Sequence, residues 1–234
     1  MTIVDNLSAV HDRIARAAQR AGRNADDIAL MAVSKTQPAA KIIEAYEAGQ
    51  QLFGENRVQE FSDKVGALAS LREANFHMIG HLQSNKAPKA AEVFHAIDSV
   101  DSEKLAERLN AAAEKLGKAL DILIEINVGG EEAKSGIAPN SSELERILAG
   151  VPAWTHLRVR GLMTVPPFTD DPEGARPYFR QLRALRDRLA LRDLPSIKLD
   201  VLSMGMSHDF EVAIEEDSTC VRIGTAIFGT RSKP

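Results

Sequence analysis

One amine and one guanidinium carry most of the chemical information in this chain. Lys35 stands in IALMAVSKTQP (residues 28–38), where an apolar run delivers it at the point where a buried strand gives out. Pro38 suits the first turn of a following helix. A lysine at such an exit either sits in solvent or points into the mouth of a barrel or sheet. In a mouth, desolvation disfavours the ammonium, and the neutral amine can form a Schiff base with an aldehyde. Arg222 stands two residues before Gly224 in RIGTAIFG (222–229), so its side chain can point into the same mouth. It reads either as a salt-bridged core arginine or as a cation set against the ring nitrogen of a bound heteroaromatic. Arginine keeps its proton, so that nitrogen would stay unprotonated and the ring would be a weaker electron sink.

Two strand exits near the end of the chain suit an anion. Ser203 opens the small, polar run SMGMS (203–207), where backbone and hydroxyl groups can approach a phosphate. Gly224 allows close approach, and Thr225 begins a short turn or helix whose free N–H groups attract phosphate. Other exits supply Asn56 (in GENRVQE), His77 and His81 (around IGHLQSNK), Asn127, and Met163-Thr164. Asn56 reads equally as a partner for a phenolic oxygen and as a cap for the following helix. His77 reads as a core histidine with its hydrogen bonds met, and His81 as core or site. Cys220, the single cysteine, lies in an apolar run and reads as a small buried hydrophobe. No His/Cys/Asp/Glu spacing matches a metal site. Residues 129–137 (GGEEAKSGI) read as a mobile lid, with Lys134 a second amine or a solvated loop lysine.

These side chains need a scaffold that gathers strand ends. Ile3, Leu7, Val10, Ile14 and Ala21 have helical spacing and Gly22 supplies a stop, giving a leading amphipathic helix. Strand-like runs then fall at 28–34, 52–54, 76–79, 96–100, 122–128, 157–163, 198–202 and 220–223. Helical stretches alternate with them at 39–48, 58–71, 86–93, 102–116, 142–148, 173–191 and 209–215. This alternation predicts an α/β fold, a single (β/α)8 TIM-type barrel with an extra N-terminal helix, spanning residues 1–234 as one domain. A doubly wound open sheet is the alternative. In such a barrel the active mouth lies at the strand C-termini, with phosphate sites after strands seven and eight. The stretch 173–191 carries Arg176, Arg180 and Arg183 opposite its apolar face, which reads as a solvated outer face.

Composition narrows the function classes. The chain has 234 residues, 44% of them hydrophobic and 26% charged, enough for both a sizeable core and a soluble surface. A net charge of −4 argues against a protein built to hold a nucleic-acid backbone. A single cysteine fits a reducing compartment, and no apolar stretch reaches membrane-spanning length. The expectation is a soluble cytoplasmic protein with no nucleic-acid or membrane partner.

AVSKTQP, GENRVQE, HMIGHLQSNK, INVGGEEAKSGI, GLMTV, LSMGMSHD and RIGTAIFG together resemble, in order, the pyridoxal-phosphate homeostasis proteins. That family's fold is like the N-terminal barrel of alanine racemase: a fold-type III barrel without the C-terminal β domain. The resemblance implies that Lys35 forms an internal aldimine with pyridoxal 5′-phosphate and that Arg222 faces the pyridine nitrogen. It implies that Ser203, Gly224 and Thr225 help hold the phosphate, with Asn56 near the ring. Two departures lie beside the implied site. Arg57 replaces a usual aromatic after GEN, and His208 follows SMGMS where a small residue is common.

The resemblance leaves a choice between a carrier and an enzyme. A carrier would bind, buffer and deliver the cofactor by reversible exchange of amines, with apo-enzymes as recipients and Lys134 as a transient acceptor during release. A racemase needs a base on each face of the substrate, and in the racemases a tyrosine from a β-rich domain supplies the second. This chain ends at Pro234, and its tyrosines, Tyr46 and Tyr178, fall in predicted outer helices. The expectation is therefore a carrier without clear turnover, monomeric or weakly dimeric, ahead of a racemase. A Schiff-base aldolase acting on a sugar phosphate is more distant, because it leaves Arg222 unexplained.

Overall fold

The protein closes on itself through eight parallel strands. A computed structural model describes residues 2–131, 135–194 and 196–229. The strands are β1 (Ala29–Val33), β2 (Leu52–Glu55), β3 (Asn75–Met78), β4 (Ala96–Val100), β5 (Leu120–Glu125), β6 (Leu157–Met163), β7 (Ile197–Met206) and β8 (Cys220–Ile223). They form a barrel in sequence order, sealed where Ala29, Leu30, Met31 and Ala32 of β1 pair with Cys220, Val221, Arg222 and Ile223 of β8. Helices α1 (Ile3–Arg20), α2 (Ala39–Glu47), α3 (Val58–Val65), α4 (Ala87–Val93), α5 (Glu103–Lys115), α6 (Ser142–Gly150), α7 (Arg176–Ala190), α8 (Phe210–Glu215) and α9 (Thr225–Phe228) complete the described helices. This is the expected (β/α)8 barrel rather than an open sheet.

The local reasons are visible in the sequence. Parallel strands covered on both faces read as largely apolar runs, as LDILIE does in β5, where all but Asp121 are buried. Outside the barrel, Phe61 of α3 stacks at 4.7 Å on Phe94 at the end of α4 and lies tilted at 4.7 Å against Phe76 of β3, which stacks at 5.3 Å on Phe53 of β2. Such ring pairs each add about 1 kcal/mol beyond area burial. Thr2 and Asp5 form a reciprocal capping box at the start of α1, whose buried face is Ile3, Leu7, Val10, Ile14, Ala17 and Ala18. Asn6 ties this helix to α9 by donating to the Ile227 carbonyl at 2.8 Å.

Three expectations are corrected. The seventh strand runs on to Met206, so Ser203, Met204 and Gly205 are barrel wall, and the turn begins at Ser207. The stretch 58–71 is shorter as a helix, because α3 gives way to a 3₁₀ turn at Gly66–Leu68. The arginine stripe of α7 is not simply solvated. Arg176, Arg180 and Arg183 all pair with the buried carboxylate of Glu216, at 2.9, 3.0 and 3.0 Å, and so clasp the end of α8.

Candidate functional site

A cleft of about 560 Å³ opens at the C-terminal ends of the strands, and Lys35, Asn56, Arg222, Gly224 and Thr225 all line it. Lys35 is the second residue past β1 and is half-buried. Asn56 follows β2, packed so closely against Gly80 that a Cβ there would lie 2.4 Å from the Asn56 carbonyl oxygen. The absent side chain in IGH is thus what lets the Asn56 turn reach the cleft. Arg222 is a buried residue of β8. Its Nη1 donates to Ser203 Oγ and its Nη2 to the Thr164 carbonyl, each at 2.7 Å. Burial presses its pKa below the ordinary arginine value, with Asp98, Glu125 and Asp209 among the groups opposing this. Arginine starts so high that it remains a cation.

Ser203 does not line the cleft. It is wholly buried beneath Arg222 and orients it, and the hydroxyl that meets the Gly224 N–H is that of Ser207. Ser207 Oγ accepts from the backbone N–H groups of Gly224 and Ala226 at 3.3 and 3.5 Å. The turn carrying it is pinned where Met206 N–H donates to Asp209 Oδ1 at 2.6 Å. Small residues, a hydroxyl and backbone donors therefore meet at the exits of β7 and β8, which suits an anion.

Pattern reasoning on the sequence misses Glu125, although a carboxylate inside LDILIEINV is a visible signal. It ends β5, is buried and lines the cleft. Ser135 donates to its Oε1 at 3.1 Å, while Oε2 is buried with no hydrogen-bond partner among the described residues. Burial pushes its pKa up to about 7 against the Ser135 hydrogen bond, with Asp101 adding to the rise and Arg222 and His81 opposing it. The cleft is therefore more cationic than a count of its side chains suggests.

His81 lines the cleft with Nδ1 3.1 Å from Asp101 Oδ2. His77 stays in the barrel, 3.1 Å from Asp98, as the core reading expected. Burial works against its charged form, but Asp98 outweighs this and the pKa is raised. Burial pushes the Cys220 thiol up to about 12, so it remains a protonated core group. Asn127 organises its own loop, accepting from Gly130 N–H at 3.0 Å and donating to the Glu131 carbonyl at 2.9 Å. Of the segment 129–137, Ser135 lines the cleft, whereas Lys134 lies outside the described residues. Of the two departures, Arg57 is exposed and His208 lines the cleft, its Nε2 donating to the Asp170 carbonyl at 3.1 Å. Among the described residues no cluster of side chains could hold a metal ion, and no helix is long and apolar enough to cross a membrane.

Residues 6–232 match the family described as "Alanine racemase, N-terminal domain". A "Pyridoxal phosphate homeostasis protein" from Aquifex aeolicus is 47% identical over 232 residues, 99% of each chain. The chain belongs to the pyridoxal phosphate homeostasis protein family. PipY of Synechococcus elongatus, a structure titled "with PLP bound", superposes with a TM-score of 0.82 at 36% identity, covering 97% of this chain and 100% of that one. Alanine racemase from Clostridium difficile shares the fold alone. It has a TM-score of 0.68 at 16% identity, covering 98% of this chain and 58% of the racemase. The family's barrel is thus the racemase barrel.

The residues present fit a pyridoxal phosphate. The cleft has the volume for one ring and one phosphate, with an amine at one wall and a guanidinium held from behind. It also has a hydroxyl-and-backbone corner for an anion.

Proposed function

We propose that this protein binds pyridoxal 5′-phosphate as a Schiff base on Lys35, then buffers and delivers it to apo-enzymes without turning over a substrate of its own. The observation that carries the reading is the convergence of Lys35, Arg222 and the Ser207–Gly224 corner on one cleft. Bound pyridoxal phosphate would supply an aldehyde to the Lys35 amine, with water leaving as the C=N bond forms, and an incoming amine would take the place of Lys35 at that carbon and release the lysine amine. Arg222 would present its remaining N–H groups to the ring nitrogen, and because it keeps its own proton it would leave that nitrogen an acceptor. Gly224, Thr225 and Ser207 hold the phosphate, and Asn56 borders the ring. Ser203 acts through Arg222.

Tyr46 of α2 and Tyr178 of α7 are half-buried against the core, and neither lines the cleft. This supports a carrier over a two-base racemase. The test is to load the protein, then follow transfer to an apo-enzyme and, separately, the optical rotation of L-alanine. Transfer without measurable racemisation is expected. Racemisation at enzymic rates would favour the other reading. The carrier is expected in the cytoplasm, as a monomer or weak dimer of one domain.

A further inference from the structure

The turn that carries Lys35 is held in an unfavourable backbone conformation by a cluster of charged groups outside the cleft. Thr36 has φ +65°, a left-handed conformation that is a genuine outlier for a β-branched residue. Its N–H donates to Glu60 Oε1 at 2.6 Å. Lys64 Nζ bridges Glu60 Oε1 at 3.1 Å and Glu55 Oε1 at 2.9 Å, and also donates to the Gln37 carbonyl at 3.3 Å. Ser34 Oγ donates to the same Glu55 oxygen at 2.8 Å. Glu55 is wholly buried, and the Lys64 side chain is only 13% exposed. Residues 34, 36 and 37 are thus each tied to one Glu55–Lys64–Glu60 cluster.

We infer that Glu60 and Lys64 are positioning residues for Lys35: they hold Thr36 left-handed and so aim the intervening amine into the cleft. The inference rests on the proposed role of Lys35. None of the three cluster residues lines the cleft, and their bonds to residues 34, 36 and 37 run to the turn that carries Lys35. The cluster spans β2 and α3 and is assembled by the fold, which is why Thr36 is tolerated without a glycine there. Ordering a reactive group in this way changes its rate, and a displacement of about 1 Å can cost up to a hundredfold.

The test compares wild type, Glu60→Ala, Glu60→Gln, Thr36→Gly and the double variant Thr36→Gly/Glu60→Ala. The readout is the rate of borohydride-reducible adduct formation between the full-length protein and pyridoxal 5′-phosphate, with melting temperature as a control. Glu60→Ala should slow capture about tenfold. Glu60→Gln, which keeps an oxygen acceptor, should stay within a few-fold of wild type. The double variant should be faster than Glu60→Ala, because glycine adopts positive φ without help. An unchanged rate in Glu60→Ala, or a double variant slower than either single one, would overturn the inference. If wild type forms no adduct, the cofactor reading itself fails. The positioning claim is then decided in the same proteins by labelling of Lys35 with trinitrobenzenesulfonate, read against Lys89 as an internal reference. The same ordering of rates supports it, and equal rates overturn it.

Discussion

The Ser203 hydroxyl accepts a hydrogen bond from Nη1 of Arg222 at 2.7 Å, with both residues buried in the barrel. Together with the Thr164 carbonyl on Nη2, it fixes the plane of the guanidinium before any ligand arrives. A cation already ordered loses little further entropy on binding.

Ser203→Ala leaves a buried charged donor short of its partner, at a cost of about 1–3 kcal/mol in stability. It also frees Arg222 to rotate. Urea denaturation should show that loss, and absorbance titration should show cofactor Kd raised roughly tenfold, the equivalent of one lost hydrogen bond. An unchanged Kd would mean that Arg222 needs no support from Ser203.

Glu125 predicts an unusual dependence of stability on pH. Its native pKa is raised from 4.5 to about 7, so between these values the unfolded chain ionises while the native carboxyl holds its proton. The unfolded state then binds fewer protons, and stability falls as pH rises through that window, levelling off above it. The span corresponds to about 3 kcal/mol, reduced in practice by relaxation around the buried group. Glu125→Gln should therefore gain stability relative to wild type as pH goes from 4.5 to 7.5, measured by urea denaturation at each pH. A gap that does not change with pH would contradict the raised pKa.

Much of this was legible in the sequence, and the exceptions have physical causes. Eight apolar runs separated by helices are enough for a parallel barrel, because buried parallel strands need no polar face. Lys35, Asn56, Arg222, Gly224 and Thr225 are legible as cleft-lining residues because each falls at or near a strand exit. Ser203 is expected at the cleft because the small residues and glycine of SMGMS read as a loop, whereas it lies within β7. In the fold, Gly205 sits at φ +94° with a Cβ position only 2.6 Å from the Ala213 side chain, so strand β7 continues through it against α8. The turn then exposes Ser207 instead. Glu125 is not legible because period and propensity say nothing about where a lone carboxylate in an apolar run will face. The bonds of Glu60 and Lys64 to the lysine turn arise from tertiary contact between strands and helix, which no local pattern encodes.

The most direct test is an absorption spectrum of the purified protein incubated with pyridoxal 5′-phosphate, before and after borohydride, beside Lys35→Ala. The account predicts a near-visible band in wild type that is lost on reduction, with the label mapped to Lys35 by mass spectrometry and no band in the variant. A wild-type protein that stays colourless, or a label fixed to a different lysine, would contradict it.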